Sequence, residues 1–216
     1  MAEINLLDEY PIIKRDTKGR AKTKTKEQVE IAKKFGWEYF DKKGICYDGY
    51  SYDGRWTPVA KKFIDYYNLN ENSSVLDVGS AKGYLLYDFK QLMPSMRVTG
   101  IEISQYAIDC APPEIKPFIH LGNAKDLSRY KDKEFDLIVC ITTIHNLKVK
   151  VCRQAVREIQ RVGKNGFIKV DAYRNKKDRV RMFDWNITAE TVLSVNEWEK
   201  LYEEEGYTGD YYWFIP

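Results

Sequence analysis

Apolar and polar positions follow one dominant rhythm through the middle of this chain. Between residues 74 and 172, short apolar runs alternate with stretches of helical spacing: SVLDVG, KGYLLYDFKQLM, RVTGIEI, SQYAIDCA, KPFIHLG, FDLIVCIT, KVKVCRQAVREIQRV and GFIKVDAY. Near-continuous apolar strands separated by amphipathic helices are what a parallel sheet covered on both faces requires. The spacing predicts strands at 75–79, 97–102, 117–121, 136–142 and 166–172. The fold class is therefore α/β, a doubly wound, mostly parallel sheet of six or seven strands with helices on both faces. After the fifth strand the pattern predicts one helix at about 195–205, stopped by Gly206, and a final aromatic strand over YTGDYYWFI. Burial in a last strand is the expectation for Tyr211, Tyr212, Trp213 and Phe214, with a contact surface as the alternative.

Upstream of the sheet the rhythm differs. Residues 26–40 place Val29, Ile31, Ala32, Phe35 and Phe40 at helical spacing, which predicts one amphipathic helix. Residues 41–56 are rich in Gly, Asp and Tyr, and the pairs Asp48-Gly49 and Asp53-Gly54 predict turns in an aromatic loop. Thr57-Pro58 then predicts a helix start, with Thr57 as the cap and Pro58 at the first position. The expected organisation is a basic arm and a helical, Tyr-rich lid segment over 1–56, followed by a ligand-binding domain over 57–216.

Composition narrows the setting. At 216 residues, 44% hydrophobic and 31% charged, the chain can bury a sizeable core. No apolar run approaches the roughly 18 residues a membrane span needs, and the first residues lack a secretory pattern, so a cytoplasmic protein without a membrane partner is expected. Cys46, Cys110, Cys140 and Cys152 have no metal-ligand spacing, and His120 and His145 stand alone, so reduced thiols and no metal site are expected. The net charge of +3 conceals a basic arm, with Lys14, Arg15, Lys18, Arg20, Lys22, Lys24 and Lys26 against Asp16. The arm is read as solvated and partly disordered, with nucleic-acid binding as the alternative.

The chemistry concentrates at the end of the first strand, Val75-Leu76-Asp77-Val78-Gly79, followed by Ser80-Ala81-Lys82-Gly83. A strand, a glycine turn and a helix start form the nucleotide crevice of such sheets. A dinucleotide fingerprint would need glycines where Ala81 and Tyr84 stand, and a Walker loop would need a Lys and a hydroxyl residue after Gly83, so NAD, FAD and ATP are excluded. The pattern present is D-x-G-x-x-x-G with Glu102 closing the next strand.

On these motifs the chain resembles the class I S-adenosylmethionine-dependent methyltransferases over roughly residues 55–215. The resemblance implies S-adenosylmethionine as cofactor, S-adenosylhomocysteine as product, and a sheet ending in a hairpin of two strands. It places Asp77, Gly79, Ser80, Gly83, Glu102, Ile103, Asn123, Ala124 and Ile141 at the cofactor, with Glu102 on the ribose hydroxyls and Asn123 near the adenine amino group. On the acceptor side it points to Ile141-Thr142-Thr143-Ile144-His145-Asn146 after the fourth strand. His145 resembles the histidine that works with a tyrosine in phosphoethanolamine methyltransferases, which makes it the candidate base with Tyr47, Tyr50 or Tyr52 as partner. The alternative is that His145 caps a helix or packs at the sheet edge. Thr143, Asp171, Tyr173 and Arg174 are candidate substrate contacts. Lys169 is comparable with the lysine of RNA ribose methyltransferases, but Thr142 and Thr143 stand where that mechanism needs an aspartate. The expected activity is methyl transfer to an O or N atom of a small polar metabolite. RNA methylation using the basic arm and the 174–181 run is one alternative, and a non-catalytic binding domain is the other.

Overall fold

The computed structural model describes residues 1–11, 15–47 and 50–216. The expected Asp48-Gly49 turn and Lys14 of the basic arm lie outside the described residues. In chain order the elements are α1 (Thr17–Thr23), α2 (Lys26–Ala32), α3 (Trp37–Phe40), α4 (Thr57–Tyr67), β1 (Ser74–Val78), α5 (Tyr84–Leu92), β2 (Arg97–Glu102), α6 (Gln105–Asp109), β3 (Ile119–Leu121), β4 (Phe135–Ile141), α7 (Val149–Val162), β5 (Gly163–Tyr173), α8 (Lys176–Trp185), β6 (Leu193–Ser194), α9 (Val195–Glu204) and β7 (Asp210–Phe214).

The strands run β3-β2-β1-β4-β5, and the far edge of β5 takes β7 along residues 167–171 and β6 at Ala172 and Tyr173. Every pairing is parallel. The strand order reverses between β1 and β4, which opens a crevice at the carboxyl ends of those strands. One face of the sheet packs on α7 and α9 through Val156, Ile159, Trp198 and Tyr202, and the other on α4 and α5 through Phe63, Leu86 and Phe89.

The expected hairpin at the end of the sheet is absent among the described residues, because β7 runs parallel to β5. The first residues of the chain cover that edge instead. Ile4 N–H donates to the Tyr211 carbonyl at 2.9 Å, and Tyr211 N–H donates to the Ala2 carbonyl at 3.0 Å. A bare sheet edge is an association hazard, and this strap hides it. The aromatic end is buried as expected at Tyr211 and Trp213, whereas Phe214 turns towards the crevice.

Four local expectations need correcting. The helix expected over 26–40 breaks into α2 and α3, because Phe35 takes a left-handed φ of 48° and Gly36 restarts the chain as the N-cap of α3. Thr57 is the first residue of α4 rather than its cap, which is Trp56. The tail holds two helices, since Asn175 caps an unexpected α8 by accepting from Asp178 N–H, and α8 buries Met182 and Trp185. The basic arm is not simply solvated: α1 packs on α8, Arg20 stands 4.5 Å from the Trp185 ring centroid, and Lys24 Nζ donates to the Asn186 carbonyl at 3.0 Å.

Trp198 of α9 is fully buried, and its indole N–H donates to the Asp171 carbonyl at 3.0 Å, so it supports the end of β5 that faces the crevice. Trp198→Ala should cost about 3–5 kcal/mol in urea unfolding, the usual range for a buried tryptophan. A loss below about 1 kcal/mol would mean that the helix does not brace β5.

Candidate active site

Above the crevice lies a cavity of about 600 Å³. Its floor is the carboxyl edge of the sheet, and its roof comes from the N-terminal segment through Tyr10, Phe35, Tyr39, Phe40, Tyr50 and Trp56. The roof is fastened to the floor by polar bonds. Lys82 Nζ of the glycine turn donates to Asp41 Oδ1 at 2.6 Å, Tyr106 hydroxyl donates to Asp41 Oδ2 at 2.6 Å, and Ser104 Oγ donates to the Phe35 carbonyl at 2.5 Å.

The glycine turn is built by close approach. Gly79 has φ 83°, and a Cβ there would fall 2.1 Å from Thr143 Oγ1, so only glycine lets the loop after β4 lie against the turn. Ala81 follows with a left-handed φ of 49°, and its N–H donates to Glu102 Oε2 at 2.8 Å. Glu102 Oε1 accepts the Ser104 N–H at 2.9 Å, which leaves each oxygen a further acceptor position. Ser80 Oγ is buried and, among the described residues, without a hydrogen-bond partner. It faces the Gly100 backbone of β2, where a Cβ would fall 2.7 Å from it, so the hydroxyl packs between the turn and the strand.

Most of the expected cofactor residues converge here: Asp77, Gly79, Ser80, Glu102, Ile103, Asn123, Ala124 and Ile141 line the cavity. Ile103 keeps 54% of its surface exposed, a flat apolar contact beside Glu102. Asn123 Oδ1 accepts the Lys125 N–H at 3.1 Å and retains its amide N–H groups and a second lone pair. Gly83 does not line the cavity. It lies behind the turn, where a Cβ would meet Ile119 and Ile115.

Burial and the neighbouring Glu102 push the Asp77 carboxyl up to about 7, and burial raises Glu102 against the backbone N–H bonds that lower it. Two acids held reluctantly as anions in one pocket favour a cationic guest.

The acceptor side is assembled from the ends of β4 and β5, through Thr142, Thr143, His145, Lys169 and Asp171. Thr142 takes a left-handed φ of 53°, a strained conformation for a β-branched residue, held by its N–H donating to the Lys169 carbonyl at 2.8 Å. His145 is buried, and its Nδ1 accepts the Asp171 backbone N–H at 3.0 Å. Burial also lowers its pKa, so the ring is neutral and its proton sits on Nε2. In this arrangement His145 offers the cavity a donor and braces β5, which is the opposite of a base.

Among the tyrosine candidates, Tyr47 and Tyr50 line the cavity. Burial pushes the Tyr47 phenol up to about 12 and the Tyr50 phenol higher, so both keep their protons at neutral pH. Tyr52 lies outside the cavity and donates to Asp88 Oδ1 at 2.6 Å. Tyr173 and Arg174 also lie outside: Arg174 donates to Glu3 Oε1 at 2.7 Å, pinning the N-terminal strap. Sequence reasoning missed Arg15, Arg55, Trp185 and Phe214 as lining residues. The period of β5, which puts Lys169 and Asp171 on one face, was the available signal for Lys169. No comparable signal exists for Arg15, which arrives from a distant segment.

Residues 76–168, which run from β1 into β5, match the model of the Methyltransf_11 family, a methyltransferase domain. No curated protein is similar in sequence to the chain. Among solved structures, a SAM-dependent methyltransferase from Archaeoglobus fulgidus superposes with a TM-score of 0.56 at 15% identity, covering 69% of this chain and 66% of that one. YcgJ from Bacillus subtilis gives 0.53 at 21% identity over 68% and 66%, so this chain spans about two thirds of its length. A Haloferax volcanii methyltransferase, solved as a putative enzyme in complex with the Trm112 methyltransferase activator, gives 0.54 at 15% identity over 90% and 77%. The fold is that of the class I, Rossmann-like methyltransferases. Within it, residues 76–168 are similar to a methyltransferase domain, a family for which S-adenosylmethionine is the implied cofactor.

The Asp77 environment yields a direct test. Unfolded, Asp77 has an ordinary pKa of about 3.9, and folding raises it, so its contribution is fully present below pH 4 and is lost as pH rises through about 7. The stability gained by Asp77→Asn over the parent protein should therefore grow between pH 4 and 7 and then level off. Thermal unfolding at pH 4, 5.5, 7 and 8.5 measures this, and a pH-independent difference would show that Asp77 is ordinary.

Proposed function

We propose that this protein is an S-adenosylmethionine-dependent methyltransferase that methylates an oxygen or nitrogen of a small polar metabolite inside a roofed cavity. The observation that carries this reading is the single cavity over two unlike edges. Glu102, Asp77 and the Gly79 turn lie on one side, and Thr143, His145, Lys169 and Asp171 lie on the other. The close-approach glycine and the two buried acids fit the implied cofactor.

When bound, S-adenosylmethionine supplies an electrophilic methyl group on a cationic sulfur. Glu102 and Asn123 would hold the nucleoside end, and Gly79, Ser80 and Asp77 the amino-acid end. The protein's work is alignment of acceptor and methyl within about 3–3.5 Å and exclusion of water. The N-terminal segment serves as the lid, with Tyr39, Tyr50 and Trp56 as its dry inner surface and the Lys82–Asp41 pair as its latch. Thr143 and Asp171 face the acceptor. His145 acts as a positioning residue by holding the end of β5.

The RNA alternative loses support from the arm's own contacts. Arg20 and Lys24 bond to backbone carbonyls, and Arg174 pairs with Glu3. These cations are engaged within the chain rather than displayed for phosphates.

Calorimetric titration tests the cofactor assignment. S-adenosylmethionine and S-adenosylhomocysteine should bind, NADH should not, and Glu102→Ala should weaken both true ligands at least about tenfold, the cost of lost charge-assisted hydrogen bonds. If neither binds, the methyltransferase reading fails and a non-catalytic binding role replaces it.

A further inference from the structure

The acceptor half of the cavity carries a charge arrangement that methyl transfer does not itself demand. Arg15 lies in the chain leading into α1, with its guanidinium 5.0 Å from the Trp185 ring centroid and 5.9 Å from that of Phe214. Lys169 Nζ lies 5.0 Å from the same Phe214 ring. Two cations from segments more than 150 residues apart thus meet around one aromatic ring, and both line the cavity.

The other cavity cations are neutralised. Lys82 is bonded to Asp41, and Arg55 donates to Asp53 Oδ1 at 2.8 Å. Among the described residues, neither Arg15 nor Lys169 makes an ion pair or hydrogen bond through its side chain. Asp171 is the acid beside them. It accepts from the Asn186 amide, lies 3.7 Å from His145 Nδ1, and offsets one of the two charges. Burial lowers the Arg15 pKa, and burial with Arg15 nearby pushes Lys169 down to about 8 against the pull of Asp171. Half-buried like charges are costly in an empty pocket, and an arriving anion would relieve that cost.

We propose that Arg15 and Lys169 form a receptor for an anionic oxygen group, a carboxylate or a phosphate, carried by the methyl acceptor. The proposal rests on the reading of the β4–β5 edge as the acceptor half and names the acceptor's chemical class. Arg15 supplies a planar fork suited to paired oxygens, and the Trp185 and Phe214 rings fix its plane so that little side-chain freedom is lost on binding. Lys169 supplies a point charge from the rigid sheet. Because Arg15 belongs to the N-terminal segment and Lys169 to β5, a bound anion would also tie the lid to the sheet.

The test is titration of inorganic phosphate, glucuronate and neutral glucose into the full-length protein, with and without saturating S-adenosylhomocysteine, read by calorimetry and by thermal shift. At least one of the two anions should bind saturably while glucose does not, and the preferred anion identifies the group. Arg15→Gln and Lys169→Gln should each weaken that binding at least tenfold and leave S-adenosylhomocysteine affinity within about twofold. S-adenosylhomocysteine binding with no anion binding, or anion binding unchanged in both variants, overturns the receptor. Anion binding that is lost in the variants, in a protein that ignores S-adenosylhomocysteine, upholds the anion site and removes the methyltransferase reading instead.

Discussion

The Glu102 carboxylate joins the parts on which the cavity depends. One oxygen takes the N–H of Ala81, in the strained turn after β1, and the other takes the N–H of Ser104, the N-cap of α6. Ser104 in turn donates to the Phe35 carbonyl of the N-terminal segment, at the left-handed residue where α2 ends and α3 begins. A single buried acid therefore connects the glycine turn, the end of β2 and the roof. Its burial raises its pKa, a cost offset by backbone donors that exist only when the turn is formed. Removing the carboxylate would leave two N–H groups without partners as well as emptying the expected cofactor contact.

From that tie the cavity divides by charge. The β1–β2 side holds Asp77 and Glu102, which suits a cation. The β4–β5 side holds Lys169 with Arg15 above it, which suits an anion. The parallel order β3-β2-β1-β4-β5 makes this division possible, since the crevice opens where the order reverses and each side draws on different strand ends. The aromatic roof covers part of the cavity, and where it displaces water the charges beneath it act more strongly.

The sheet was legible in the sequence because its strands are buried on both faces and separated by amphipathic helices. Asp77, Gly79 and Glu102 were legible because strand, turn and strand fix their spacing. What lay beyond reach depends on contacts distant in sequence. Lys176, Lys177, Arg179 and Arg181 read as a charge run and conceal α8, whose buried positions are only Met182 and Trp185. The tyrosine loop gives no hint that Tyr52 turns to Asp88 while Tyr50 turns inward. His145 lines the cavity. Its orientation, fixed by the Asp171 backbone N–H, is a tertiary fact, and it changes the chemistry the ring can offer.

Under the proposed function, the acidic side of the cavity receives a cationic cofactor. At pH 6.0 an Asp77 held near 7 is mostly protonated, and a positive guest beside it should drive the proton off. The direct measurement is the heat of S-adenosylmethionine binding at that pH in buffers of different ionisation enthalpy. A buffer-dependent heat corresponding to release of up to about one proton is expected, abolished by Asp77→Asn. Heats that do not vary with buffer, or a net uptake of protons, would contradict it.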